Sequence, residues 1–175
     1  MSDKKYAFSW DLLGDLETGR PNLGRQTHVA VYRLMQFTLR EAIESRYGTE
    51  AADAVFRAAG KRAGQAFYEH YLSDTEDVRD FILRLQTKLK EFKIGILRVE
   101  AMSDGARHLT LAIDEDLDCS GLPEVDFEVC VYDEGFLAGI LEGYIGRPYT
   151  VKEIDCWCTG DRTCRFSAEQ DEGRP

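Results

Sequence analysis

Between His28 and Tyr47 the apolar residues Val31, Tyr32, Met35, Leu39, Ala42 and Ile43 recur at the spacing of one helix face. Gly48 predicts the end of that helix and Thr49 the cap of the next. From Glu50 to about Leu72, Val55, Phe56, Ala59, Ala63 and Phe67 fall on one side of a second helix. Gly60 and Gly64 lie one turn apart within it. An interior helical glycine costs up to about 1 kcal/mol relative to alanine, so a close neighbour, most simply another helix, is expected against this pair. Ser73-Asp74-Thr75-Glu76 reads as a capping box opening a third helix to about Phe92, with Val78, Phe81, Ile82, Leu85 and Leu89 as its apolar positions.

After Gly95 the period changes from helical to alternating. Residues 96–102 and 107–113 alternate apolar with polar around Ser103-Asp104-Gly105-Ala106, whose Asp-Gly pair signals a hairpin. Asp114-Glu115-Asp116 and Pro123 mark a loop, and Val125 to Tyr132 reads as a third strand. Leu137, Ile140, Leu141 and Tyr144 predict a helix from about Asp133, ended by Gly146. Tyr149–Cys158 and Thr163–Ala168 then flank Thr159-Gly160-Asp161 as a closing hairpin. Residues 1–27, broken by Gly14, Gly19, Pro21 and Gly24, read as an arm suited to capping or dimer contact. Glu169–Pro175 reads as a charged, frayed tail. The expectation is one domain over residues 28–168, of α+β class. Its sheet is mainly antiparallel, with helices at the N-terminal end and one helix inserted before a C-terminal hairpin.

Charge narrows the function. With 22 basic and 32 acidic side chains the net charge is −10, and no Lys/Arg run is present, so nucleic acid is not an expected partner. The start, MSDKKYAFSW, lacks the apolar core of a signal peptide, and no segment is long and apolar enough to span a membrane. A cytoplasmic protein with reduced thiols is expected. Five cysteines clustered late in the chain then favour metal ligation over disulfides. No G-x-S-x-G, no G-x-G-x-x-G after a strand and no evident Cys–His pairing appears, so a non-enzymatic role is expected.

The richest chemistry lies between Cys130 and Cys164, in the pattern C-x22-E-x2-C-x7-C formed by Cys130, Glu153, Cys156 and Cys164. Three thiolates and one carboxylate make a four-ligand zinc shell with no position left for water or substrate, a shell that staples rather than catalyses. Glu153 and Cys156 are three residues apart, so a regular strand would point them oppositely, and a bulge at Ile154-Asp155 is required. An all-cysteine shell with Cys158 in place of Glu153 is the alternative, and an iron–sulfur cluster on those four thiolates a variant of it. Cys119 falls outside the pattern and reads as a free thiol. His28, His70 and His108 are scattered and read as surface or cap residues, although a single axial histidine would suffice for haem.

Cys130, Gly135, Gly139, Gly146-Arg147, Glu153-x-x-Cys156 and Cys164 together resemble the C-terminal half of the vinyl-4-reductase domain. That small ligand-binding module also forms the sensor of phenol- and xylene-responsive sigma-54 activators. The resemblance implies a fold shared with NO-signalling and Golgi-transport domains, a structural zinc on the four matched residues, and a homodimer. It further implies a small apolar or aromatic ligand held between sheet and helices, for which Phe92, Leu97, Val99, Leu109, Leu111, Tyr132, Phe136 and Ile140 are the candidate lining. In the phenol sensors a His and a Trp hold the hydroxyl group. Here Leu89-Lys90-Glu91-Phe92-Lys93 offers no His and no Trp lies between Trp10 and Trp157, so phenol itself is not the expected ligand. The leading expectation is a zinc-stapled sensor or carrier that passes its signal to a separate partner. A tetrapyrrole-binding protein or accessory vinyl reductase, and an interaction scaffold, are the two alternatives.

Overall fold

The computed structural model describes residues 5–171 of the chain. The arm contributes one 3-10 turn, Trp10–Leu13, and a single helical turn, α1 (Leu16–Gly19). It docks through Trp10, whose ring stacks on His70 at 4.4 Å and meets Tyr71 edge-on. Three long helices follow as the periodicity predicts: α2 (Val29–Tyr47), α3 (Thr49–Tyr71) and α4 (Val78–Glu91). The helix α4 does not begin with a capping box at Ser73. The Ser73 hydroxyl donates to the Glu69 carbonyl at the end of α3, and Asp77 caps α4 by accepting from the N–H groups of Arg79 and Asp80. An orphan carbonyl one turn back thus takes the hydroxyl before the next helix can use it.

Four strands, β1 (Ile96–Met102), β2 (His108–Asp114), β3 (Tyr149–Asp155) and β4 (Cys164–Gln170), form one antiparallel sheet in the order β1-β2-β4-β3. Glu169 and Gln170, expected in the tail, pair with His108 and Tyr149. The remainder of the expected tail, residues 172–175, lies outside the described residues, as do residues 1–4 of the arm. Val125–Tyr132 is not a strand. Residues 115–130 run as turns and irregular chain, and α5 (Val131–Ile145) begins two residues earlier than its periodicity suggests. The Val125-x-Phe127-x-Val129 alternation is real but joins no sheet edge. Val129 packs on the core, while Val125 and Phe127 stay exposed.

The helix α5 is apolar on all sides, as a helix enclosed between layers must be. One side lies on the sheet, where Phe136, Leu137, Ile140 and Leu141 join Leu109, Leu111, Val151 and Phe166 in the core. The other meets α3 at near-backbone distance. A Cβ built on Gly60 would stand 2.1 Å from the Tyr132 carbonyl oxygen, and one on Gly64 2.0 Å from that of Phe136. Gly135 and Gly139 answer from α5 against the carbonyls of Arg57 and Lys61, at 2.1 and 2.2 Å. The glycine pair in α3 therefore has the helix neighbour that its cost implies.

Glu134 ties three elements together where this packing meets the sheet. Its fully buried carboxylate accepts from Arg57 on α3 at 2.6 Å and from Lys152 on β3 at 2.8 Å, and takes the Glu153 N–H at 3.0 Å. Glu134→Ala is expected to destabilise the fold by about 3 kcal/mol, since it strands a buried N–H and two cations. Lys152→Met is expected to cost under about 1 kcal/mol, because that amine is half in solvent. Urea unfolding of the two variants checks this ordering.

Candidate metal centre and ligand clefts

Four separated backbone segments each deliver one cysteine to the same buried point beneath the end of the sheet. Cys119 arrives on the turn after β2, Cys130 at the N-cap of α5, Cys156 just past β3, and Cys164 as the first residue of β4. Their sulfur atoms all lie within 4.8 Å of one another. The individual separations are 3.0 Å for Cys119–Cys164, 3.8 Å for Cys130–Cys164 and 4.0 Å for Cys130–Cys156. In a tetrahedral shell with Zn–S near 2.3 Å the sulfur–sulfur edge is about 3.8 Å, so these four donors fit one ion in number, chemistry and spacing.

Local structure explains each arrival. The Asp116 carboxylate accepts from the N–H groups of Asp118 and Cys119 at 2.8 and 3.2 Å, winding the chain into the turn that points Cys119 inward. In β3 the register against β4 slips between Glu153 and Asp155, the bulge that the three-residue spacing demands. Beyond it Cys156 reaches the cluster. Glu153, equally buried, holds the Cys130 N–H through Oε2 at 3.3 Å, leaves Oε1 without a protein partner, and is not among the atoms gathered within 4.8 Å. Cys158 sits in the 3-10 turn Trp157–Thr159, where its carbonyl accepts from the Val125 N–H at 2.7 Å, and its sulfur is likewise outside the gathered set. Sequence spacing does not reveal Cys119, because nothing in a linear pattern connects it to Cys130. The one local cue is Asp116 three residues ahead of Cys119, a turn-capping arrangement.

Residues 109–170 match the sequence model of the vinyl-4-reductase domain. That segment belongs to the vinyl-4-reductase domain family. The uncharacterized protein MJ1642 of Methanocaldococcus jannaschii is 28% identical over 145 residues, spanning 82% of this chain and 78% of its own length. Among solved structures, the phenol-responsive sensory domain of the transcription activator PoxR, crystallised with phenol, superposes with a TM-score of 0.67 at 15% identity, over 82% of this chain and 75% of that one. A vinyl-4-reductase family protein from Methanocaldococcus jannaschii gives 0.60 at 15% identity and 85% of each chain. Subunit 3 of a trafficking protein particle complex from Naegleria fowleri, covalently bound to palmitic acid, gives 0.65 at 13% identity, over 82% of this chain and 95% of that one. At these identities the superpositions establish a shared fold, which extends through the helices upstream of the family segment.

Within that segment, negative charge is confined in a dry place. Hydrogen bonds from Cys119, Cys130 and Cys164 hold the Cys156 thiol far below the ordinary range, so a thiolate settles there first. Burial, then the charges on Cys156 and Cys164, pushes Glu153 up to about 10. Burial and the neighbouring Asp118 raise Asp116 to about 7, and Asp133 is driven well above its usual value for the same two reasons. Arg33, whose charge acts on Asp118, has its donors committed to the carbonyls of Leu117 and Ser120. A divalent cation among the sulfurs is the counter-charge this environment favours.

The expected ligand lining is dispersed through the packed interior. Leu97, Leu109, Leu111, Phe136 and Ile140 are buried in the contiguous core, Val99 and Tyr132 pack half-buried against it, and Phe92 is exposed with its ring edge-on to Phe67. Two clefts lie elsewhere. One of about 490 Å³ is bounded by Gln65, Tyr68, Glu142 and Arg147. The other, about 880 Å³, runs between α2, the start of α3 and the irregular chain from Leu122 to Val129. No expected lining residue borders either. The histidines are accounted for locally: the His28 ring caps α2 by accepting from the Ala30 N–H, His70 stacks on Trp10, and His108 lies near Glu169. No helix among the described residues is long and apolar enough to cross a membrane.

Proposed function

We propose that this chain is a non-enzymatic, small-molecule-binding sensor or carrier domain whose C-terminal half is held by a structural zinc ion on Cys119, Cys130, Cys156 and Cys164. The observation carrying the metal reading is the gathering of four buried sulfurs from four backbone segments within 4.8 Å. Family membership and the fold shared with a phenol-responsive sensory domain support ligand binding. With four protein donors the shell is closed, so the ion stabilises and does not activate water. Glu153 then serves as the acceptor that orients Cys130 from outside the shell.

The helix α2 supports a homodimer in this reading. Val31, Leu34, Met35 and Leu39 form an exposed apolar face at i, i+3, i+4 and i+8, a face that a second copy would cover. Signal output passes from such a dimer to a separate partner.

Native mass spectrometry with elemental analysis of the purified chain tests the proposal. One zinc per chain, two chains per particle and a small neutral adduct are expected, from a colourless protein. Iron with sulfide absorption would replace the zinc by a cluster, and a Soret band would replace the sensing reading by tetrapyrrole handling.

A further inference from the structure

The larger cleft has a built polar end. Gln36 is buried, and its Nε2 donates to Asp118 Oδ2 at 2.6 Å, which fixes the amide and leaves Oε1 with no protein partner. One turn along the same helix face, Arg40 gives Nη2 to Asp53 at 2.5 Å and sets Nε beside Glu44, while its buried Nη1 also lacks a partner. Both residues line the cleft. An acceptor and a donor one helical turn apart, each stripped of water and unmatched by protein, define the group that would satisfy them. It must donate to Gln36 Oε1 and accept from Arg40 Nη1.

The rest of the cleft sets the remainder of the ligand. Its walls are apolar and partly aromatic: Phe37, Phe56, Leu122, Phe127, Val129 and Val131. A volume of about 880 Å³ is in the range of sites that enclose a multi-ring or long-chain molecule. Arg40 already has two carboxylates, and Glu41 and Glu128 add negative charge at the rim, so an anion is disfavoured. We infer that the cleft between α2, α3 and the Leu122–Val129 chain binds a neutral apolar molecule bearing one donor–acceptor group, a hydroxyl or a carboxamide, read by Gln36 and Arg40. This rests on the small-molecule-binding reading above and relocates the site from the sheet core to the helical side. Asp118, which fixes Gln36, is the neighbour of Cys119, so a ligand here sits one residue from the proposed metal shell.

The test is titration of the full chain, as purified, with 2-naphthol, 2-methoxynaphthalene and 2-naphthoate, followed by calorimetry and by amide chemical shifts. The inference expects 2-naphthol to bind, with shift changes centred on Phe37, Phe56, Leu122 and Val129. The methyl ether, which cannot donate, and the anion are each expected to bind about tenfold or more weakly. Arg40→Lys keeps the charge facing Asp53 but removes Nη1, and is expected to weaken 2-naphthol binding about tenfold while leaving the ether unchanged. Equal binding of alcohol and ether to the wild-type chain would overturn the polar readout, whatever the variant does. Absence of 2-naphthol binding would overturn the cleft assignment, leaving the sensing proposal to the adduct found by native mass spectrometry. Shift changes centred on Leu97, Leu111 and Ile140 would overturn the cleft but keep ligand binding, returning it to the core.

Discussion

Cys119→Ser is expected to weaken zinc binding about a hundredfold or more, whereas Glu153→Gln is expected to weaken it only about tenfold. The difference follows from their places around the sulfurs. Structural zinc sites release about 10–16 kcal/mol on binding, so each of four ligands carries about 3 kcal/mol, or roughly a hundredfold. An outer group that orients a ligand is worth roughly 10–100-fold. Glu153 holds the Cys130 N–H rather than joining the gathered donors, which puts it in the second class. Competition against a chromophoric chelator measures both constants. The reverse order, with Glu153→Gln severe and Cys119→Ser silent, would return the carboxylate to the shell and make Cys119 a free thiol after all. The same experiment reaches stability. The four cysteines come from the turn after β2, the start of α5, the end of β3 and the start of β4, so the ion closes loops that the unfolded chain leaves open. Removing zinc with a chelator is expected to lower stability by more than about 5 kcal/mol. An undiminished urea midpoint after verified metal loss would exclude the structural role.

Gly64→Ala is expected to destabilise the chain by about 3 kcal/mol or more, although alanine is the better helix former by up to about 1 kcal/mol. The added methyl has nowhere to go: its position lies 2.0 Å from the Phe136 carbonyl oxygen, and backbone cannot rotate aside as a side chain can. The helices α3 and α5 must separate, loosening packing along their whole contact, and overpacking of that kind costs about 1–3 kcal/mol even where side chains absorb part of it. Gly143 supplies the control. A Cβ there meets only the Tyr68 ring, at 2.4 Å, and that half-buried side chain can swing away. Gly143→Ala is therefore expected to cost less than half as much as Gly64→Ala. Equal losses at the two positions, measured by chemical unfolding, would mean that α3 and α5 do not rely on close backbone approach.

Helices α2, α3 and α4 are legible in the sequence because burial of one helix face imposes a 3.6-residue repeat that needs no knowledge of the partner. The hairpin from Ile96 to Asp114 is legible because Asp104-Gly105 is local turn chemistry. Val125–Tyr132 misleads for a related reason. Alternation records which residues can share a face, but a strand also needs an edge to pair with, and pairing is decided by the rest of the sheet. The cap of α4 differs from its sequence signal similarly, since Ser73 has two backbone partners within reach and takes the carbonyl behind it.

The metal centre divides along the same line. Cys130, Cys156 and Cys164 stand out by their spacing, and the bulge at Ile154-Asp155 follows from strand geometry. Cys119 does not, because its route depends on a turn wound around the Asp116 carboxylate and on β2 lying beside β4. The apolar stripes likewise say which residues leave water but not whether they meet one another or a ligand. By itself, then, the sequence determined the class of the domain, the order of its elements and the chemistry of its sulfur donors, all consequences of short-range periodicity and residue type. The tertiary structure decided which fourth cysteine joins the other three, that α3 and α5 touch backbone to backbone, and where space remains between helices. Those are distances between residues far apart in the chain, and no local preference encodes them.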